Sequence, residues 1–327
     1  SYTYVKNGYL YAESKERGRL RCKLTDNLLD KSRWVREDGF TTLRENRTNV
    51  QDKQTNLWWT KTADGKLTYY TVDADGKRTY KTEGVLPEGP ASNNFYRLYN
   101  HNGKIYAVGG LFSQETNGNL PGEVHVWDGT TWGHYEQPTE AQLGHKNVDY
   151  LCMDFDPLKE GHVMVGAKSG LYEFQDGKFV KCYNRDNSPL ESATADKSKN
   201  YVMATGVKYD PTGNLWVLNS QITNPLKMLS KDGEWSVMNN IELTKNNAWD
   251  VKELFLSPTY GYMWFVNSYW EETKLFAYDY KNNKLYDAGG PTYTNEDYAT
   301  IKPYYLFHVT EDKNGNIWLA SSAGPLY

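Results

Sequence analysis

Cysteine is nearly absent: Cys22, Cys152 and Cys182 are the only three in 327 residues. They stand far apart, form no Cys-x-x-Cys pair and cannot all be joined, which excludes a disulfide scaffold or a thiolate zinc site. They read as small buried apolar groups, with one disulfide left open. Long apolar runs are missing too, and none approaches the ~18 residues of a membrane-spanning helix. Positive charge is not concentrated. Lys and Arg number 37 against 41 Asp and Glu, a net charge of −4. The most basic stretch, SKERGRLRCK, is flanked or interrupted by two Glu. Nucleic acid is therefore not an expected partner. Ser1 is not a natural start, so the chain reads as processed or cut. Its lack of a leader peptide then says nothing about compartment.

Catalytic and metal-binding signatures are equally sparse. Among the six histidines no His-x-x-x-His or Cys–His spacing supports zinc. His125 and His134 could meet across a hairpin, but as two polar strand positions. Asp73-Ala74-Asp75-Gly76 begins like a calcium loop and lacks its third acidic ligand and bidentate Glu. Asp312-Lys313-Asn314-Gly315-Asn316 reads as a hairpin turn. No Gly-x-Ser-x-Gly elbow and no sialidase Asp-box occur. A scattered Ser/His/Asp triad stays open, because its members need not be close in sequence. No cofactor and no metal are expected.

Aromatic residues, by contrast, make up 15% of the chain, with 27 Tyr and 11 Trp, and favour strands. No long stretch shows helical periodicity. Gly, Asn and Asp interrupt the chain every 8–12 residues instead, as in all-β proteins. One pattern recurs: Gly, any residue, an aliphatic, a large aromatic or Met, then an apolar residue. Its fourth positions are Tyr11, Trp58, Tyr106, Met164, Trp216, Trp264 and Trp318, with the Gly missing from the copy at Trp58. Successive spacings are 47, 48, 58, 52, 48 and 54 residues. A period of roughly 40–50 residues marks a propeller blade. The expectation is an all-β, seven-bladed β-propeller of four-stranded antiparallel blades spanning 1–327, with these positions on the second strand of each blade.

Residues 249–290 show one blade: WDVKELFLSP, YMWFVNS, KLFAYDY and KLYDAGG, separated by turns. Asp-Gly at 128–129, 176–177 and 232–233 marks the matching third-to-fourth-strand turns, a strong hairpin signal. The last blade stops inside its third strand. That leads to the expectation that the chain is one module of something longer.

The segments DPTGNLWVLNS and EDKNGNIWLASSAGPLY resemble the repeat of bacterial two-component-regulator propellers. Asn187-Ser188-Pro189-Leu190 resembles the loop between their blades. Gly324-Pro325-Leu326 resembles the propeller module of PorZ-type proteins of the type IX secretion system of Bacteroidota. Leu218-Asn219 and Ala320-Ser321 depart from the Gly-Thr usual there. The resemblance implies a sensory or scaffold domain, in a hybrid sensor kinase or a secretion protein, located in the periplasm or on the outer cell surface. Several such domains recognise glycan.

The motif tryptophans belong mid-strand and are expected to pack between blades. Loop aromatics are the better candidates for a ligand. Phe112, Tyr269, Trp270, Tyr293 and Tyr298 fall on loops assigned to one face of the ring, where amphipathic rings suit a sugar or a protein partner. The reading is thus a non-enzymatic binding module. The alternative is a carbohydrate-active enzyme, a glycoside hydrolase or lyase, using acids among Glu271, Glu272, Glu296 and Asp297 at the ~5–10 Å separation such chemistry needs.

Overall fold

A computed structural model describes residues 2–14, 18–37, 49–62, 66–81, 83–85, 88–111, 118–194, 200–238, 249–269 and 272–326. The described residues are almost entirely β. Their helices are one 3-10 turn, Lys31–Arg33, and one α-turn, Glu140–Leu143. The chain divides into two compact units, Ser1–Glu88 and Gly89–Tyr327.

The first unit holds two four-stranded antiparallel sheets. Their strands are Tyr2–Lys6, Tyr9–Ser14, Gly18–Lys23 and Val35–Arg36, then Val50–Gln51, Trp58–Lys61, Leu67–Val72 and Arg78–Tyr80. Cross-strand aromatic pairs stabilise them. Tyr4 stacks on its register partner Tyr11 with centroids 4.8 Å apart. Trp58, Tyr70 and Tyr80 form a row at 6.1 and 4.9 Å.

The second unit continues the series. The third sheet is Arg97–His101, Lys104–Gly109, Glu123–Trp127 and Trp132–His134. The fourth is Tyr150–Phe155, His162–Ala167, Gly170–Gln175 and Lys178–Tyr183. The fifth is Ala204–Tyr209, Leu215–Asn219, Leu226–Leu229 and Trp235–Val237. The sixth is Val251–Leu256, Met263–Asn267, Lys274–Asp279 and Lys284–Gly289. A small hairpin, Tyr293–Thr294 with Thr300–Ile301, precedes a last, three-stranded sheet of Leu306–Glu311, Ile317–Ser321 and Gly324–Leu326. Every copy of the repeated pattern falls on the second strand of its own sheet. The core is layered: apolar clusters lie between successive sheets from the third to the last, not inside any one sheet. Trp216, Phe265, Phe276 and Tyr278, for example, join the fifth sheet to the sixth. All three cysteines are buried and free.

The Asp-x-x-Gly-Asn-x-Trp segment is a clamp across the turn between first and second strands. Asp210 accepts from the backbone N–H of Thr212 and Asn214 through Oδ1, and from Asn214 Nδ2 and Trp216 Nε1, both at 3.1 Å, through Oδ2. Asp312 repeats this with Asn314, Asn316 and Trp318, the indole bond being 2.9 Å. Gly213 and Gly315 supply the positive φ of the turn, +89° and +83°. Burial alone would raise Asp210, but the bonds from Thr212, Trp216 and Asn214 hold it below the usual carboxylate range. The two tryptophans differ in burial. Trp216 is 5% exposed between sheets, whereas Trp318 is 37% exposed on the last sheet.

The fourth sheet writes the clamp with imidazole. His162 Nδ1 lies 2.8 Å from Asp156 Oδ2, and its Nε2 lies 3.1 Å from Glu173 Oε1. Tyr209 of the next sheet approaches at 3.3 Å. The hydrogen bond to Glu173, opposed by burial and then joined by Asp156, raises His162 above the ordinary imidazole value. A raised histidine stabilises the fold fully below its unfolded pKa of ~6.5, and that contribution is lost as pH rises through the native value. The stability gap between wild type and His162→Gln is therefore expected to be largest near pH ~5.5–6 and to shrink towards pH ~8. Urea titrations across that range would measure it. A gap that widens with pH would refute the assignment.

Candidate functional site

The first strands of five successive sheets, third to last, line one cavity of about 360 Å³ within the second unit. Four of these strands carry a register shift, at Tyr150/Cys152, Ala204/Gly206, Lys252/Phe255 and Leu306/His308. A bulge bends a strand and re-aims its side chains. Here it falls in each strand as the chain enters the cavity wall. Glu253 sits in the widest of these irregularities, at φ +64°. A bulky residue holds such a backbone only when its surroundings over-determine it.

Those surroundings are ionic. Glu253 pairs with Arg97 of the third sheet and with His308 Nδ1 of the last sheet at 2.7 Å. The Glu253 side chain is 6% exposed and that of Arg97 21%. A second pair lines the wall: Lys208 Nζ lies 2.9 Å from Asp154, whose other oxygen accepts from the Tyr209 N–H at 2.7 Å. Hydrogen bonds link the sheets in turn. Met153 N donates to the Tyr99 hydroxyl at 3.2 Å, and Thr205 Oγ1 donates to Val251 O at 2.5 Å. Partial desolvation, then the positive charge of Arg97, pushes His308 below the ordinary imidazole value. Its Nδ1–H donates to the Glu253 carboxylate. Burial pushes the Cys152 thiol in the wall up to about 12, so it stays protonated and is no nucleophile. Leu98 and Phe307, 66% and 47% exposed, form an apolar lip.

The loop aromatics are differently placed. Phe112 and Trp270, with the acid Glu271, lie outside the described residues. Tyr269 is half-buried in a turn closed by Glu272 N donating to its carbonyl. Tyr293 and Tyr298 share the small hairpin. Tyr293 packs against the apolar cluster between the last two sheets, and burial pushes its hydroxyl up to about 12. Tyr298, at the turn, is 88% exposed. Glu296 and Asp297 immediately precede it and are also exposed. His125 and His134 do face each other in register across a hairpin. The residues that sequence reasoning missed are the cavity charges, Arg97, Asp154, Lys208 and Glu253. Their signal was available as a charge recurring in otherwise apolar first strands.

Among the described residues no group of three or more His, Cys, Asp or Glu is arranged to hold a metal. No helix of those residues is long and apolar enough to cross a membrane. No family model matches the chain. No curated protein matches it either. Solved structures do. PorZ, an essential surface component of the type-IX secretion system of Porphyromonas gingivalis, is 17% identical with a TM-score of 0.63 over 98% of this chain and 53% of that one. The extracellular domain of the hybrid two-component system BT3049 from B. thetaiotaomicron is 16% identical with a TM-score of 0.44, over 98% of this chain and 44% of that one. The WD40 propeller domain of Doa1 is 11% identical with a TM-score of 0.47, over 99% and 90%. The chain thus spans about half the length of PorZ. With its serial antiparallel sheets and layered core, it has the β-propeller fold, similar over nearly its whole length to the propeller region of PorZ.

Proposed function

We propose that this chain is a non-enzymatic propeller that binds a glycan or protein partner, as one module of a longer cell-envelope protein with a sensory or secretion role. Its sheets would form seven blades, and it would work in the periplasm or on the outer cell surface. The observation that carries a binding reading over a catalytic one is the mutual pairing of the cavity charges. Glu253 holds both Arg97 and His308, and Asp154 holds Lys208. A general acid or base needs a group poised to exchange a proton with substrate. Arg97, Lys208, Asp154 and Glu253 are spent in ion pairs and build a fixed polar wall, in which the Nε2 of His308 is the group left open to the cavity.

The proposed contact surface is the loop face bearing Phe112, Tyr269, Trp270, Tyr293 and Tyr298. Tyr298 is its most exposed described member, and Glu296 and Asp297 lend it negative charge. Such a surface favours a neutral sugar or a basic protein segment over a polyanion. Glycan arrays and pull-downs on wild type and a Trp270→Ala/Tyr298→Ala double variant test this. Loss of binding in the variant is expected. Equal binding by both proteins would move the site off this face. Turnover of a polysaccharide that vanishes in Glu296→Gln would establish an enzyme instead.

A further inference from the structure

The hairpin clamp is missing from one sheet whose second strand still carries the motif tryptophan. In the sixth sheet the turn runs Ser257-Pro258-Thr259-Tyr260-Gly261-Tyr262, with no aspartate. Ser257 Oγ instead bonds Glu311 of the last sheet. The indole N–H of Trp264 is left buried without an acceptor, where Asp210 and Asp312 serve Trp216 and Trp318. Beside this turn an open cleft of about 470 Å³ separates the sixth sheet from the last.

The cleft is lined by Tyr260, Tyr262, Trp264, Gly315, Asn316 and Ile317. None of these carries a formal charge at neutral pH. The tyrosines are well supported. Tyr260, 51% exposed, donates its hydroxyl to Gly315 O at 3.0 Å. Tyr262 stacks on Tyr286, centroids 5.8 Å apart and planes 28° apart. The Lys284 ammonium sits 4.6 Å over the Tyr286 ring. The volume lies within the ~300–1,000 Å³ range of small-molecule sites.

We infer that this cleft is a binding site for a neutral pyranose saccharide. Flat aromatic faces with polar edges suit the C–H face and rim hydroxyls of a sugar ring. The six lining residues carry no charge, which favours a neutral ring over a phosphate or a uronate, with the Lys281 ammonium beside Gly261 at the cleft's edge. The Tyr260 hydroxyl, still able to accept, is the polar group that would fix the ring, while the Trp264 ring contributes apolar surface. The site is separate from the loop face and independent of the function proposed for it.

Saturation-transfer NMR with chitotriose, cellotriose, mannotriose and galactotriose at millimolar concentration is the test, with a proline-rich decapeptide alongside. At least one trisaccharide should bind saturably to the wild-type chain. Its affinity should fall at least ten-fold in Tyr262→Ala, fall less in Tyr260→Phe and stay unchanged in Val180→Ala, an exposed position on the last strand of the fourth sheet. Thermal melts check folding, and Tyr260→Phe keeps its ring if Tyr262→Ala proves unstable. Binding of no trisaccharide, binding of the peptide alone, or binding equal in wild type and both cleft variants would overturn the assignment. Loss on Tyr298→Ala only would place the sugar on the loop face and likewise refute this cleft.

Discussion

Trp216→Ala is expected to lower stability by about 3–5 kcal/mol, the usual loss for a large buried aromatic. The ring is 5% exposed, belongs to the cluster between fifth and sixth sheets, and touches Tyr278 and Tyr280 at 5.6 and 5.7 Å. Its removal also leaves Asp210 without the indole donor. Such a loss is a large share of the ~5–15 kcal/mol that a domain usually has. Trp318→Ala makes the same clamp deletion on a ring 37% exposed, and should cost less than half as much. Urea midpoints at unchanged m-value would compare them. Equal losses would show that the clamp, not inter-sheet burial, dominates both.

The second large effect concerns Glu253. Glu253→Ala leaves Arg97 without its carboxylate inside the cavity wall, and breaking a buried pair from one side costs about 3–5 kcal/mol. Glu253→Gly loses the same ion pair but accepts φ +64° without strain. It should therefore be less destabilised than the alanine variant, by about 1 kcal/mol. Chemical denaturation of both variants gives the difference. A glycine variant worse than alanine would mean that the backbone there is relaxed and the ion pair alone matters.

The repeat was legible because its physics is local. Alternation sets the strands, Asp-Gly and Asn mark their turns, and a mid-strand aromatic recurs once per sheet. The blade read from residues 249–290 has its four strands where the pattern put them. Burial was less legible. Trp216 and Trp318 share a motif and a clamp, and only packing by a neighbouring sheet separates them. The cavity was least legible. Arg97 and Glu253 are more than 150 residues apart, and no spacing rule joins them. The bulge that turns Glu253 towards its partners is a register fault between strands, which one strand read alone does not reveal. The loop aromatics could be placed on loops, but not ranked by exposure. Tyr293 and Tyr298 look alike in sequence, yet one is packed and the other is open.

The layered core has an evolutionary consequence. Each apolar layer is shared by only two neighbouring sheets, so damage to one turn is felt by its neighbours and little further. The hairpin clamp is thereby a redundant part, installed in several copies, any one of which can drift without toppling the rest. The fourth sheet has an imidazole, His162, where the fifth has the amide of Asn214, and Met164 in place of the indole, and the sixth has no aspartate in this turn. Redundancy of this kind lets a repeat protein try out new surface chemistry one sheet at a time, on a scaffold that the intact copies keep upright.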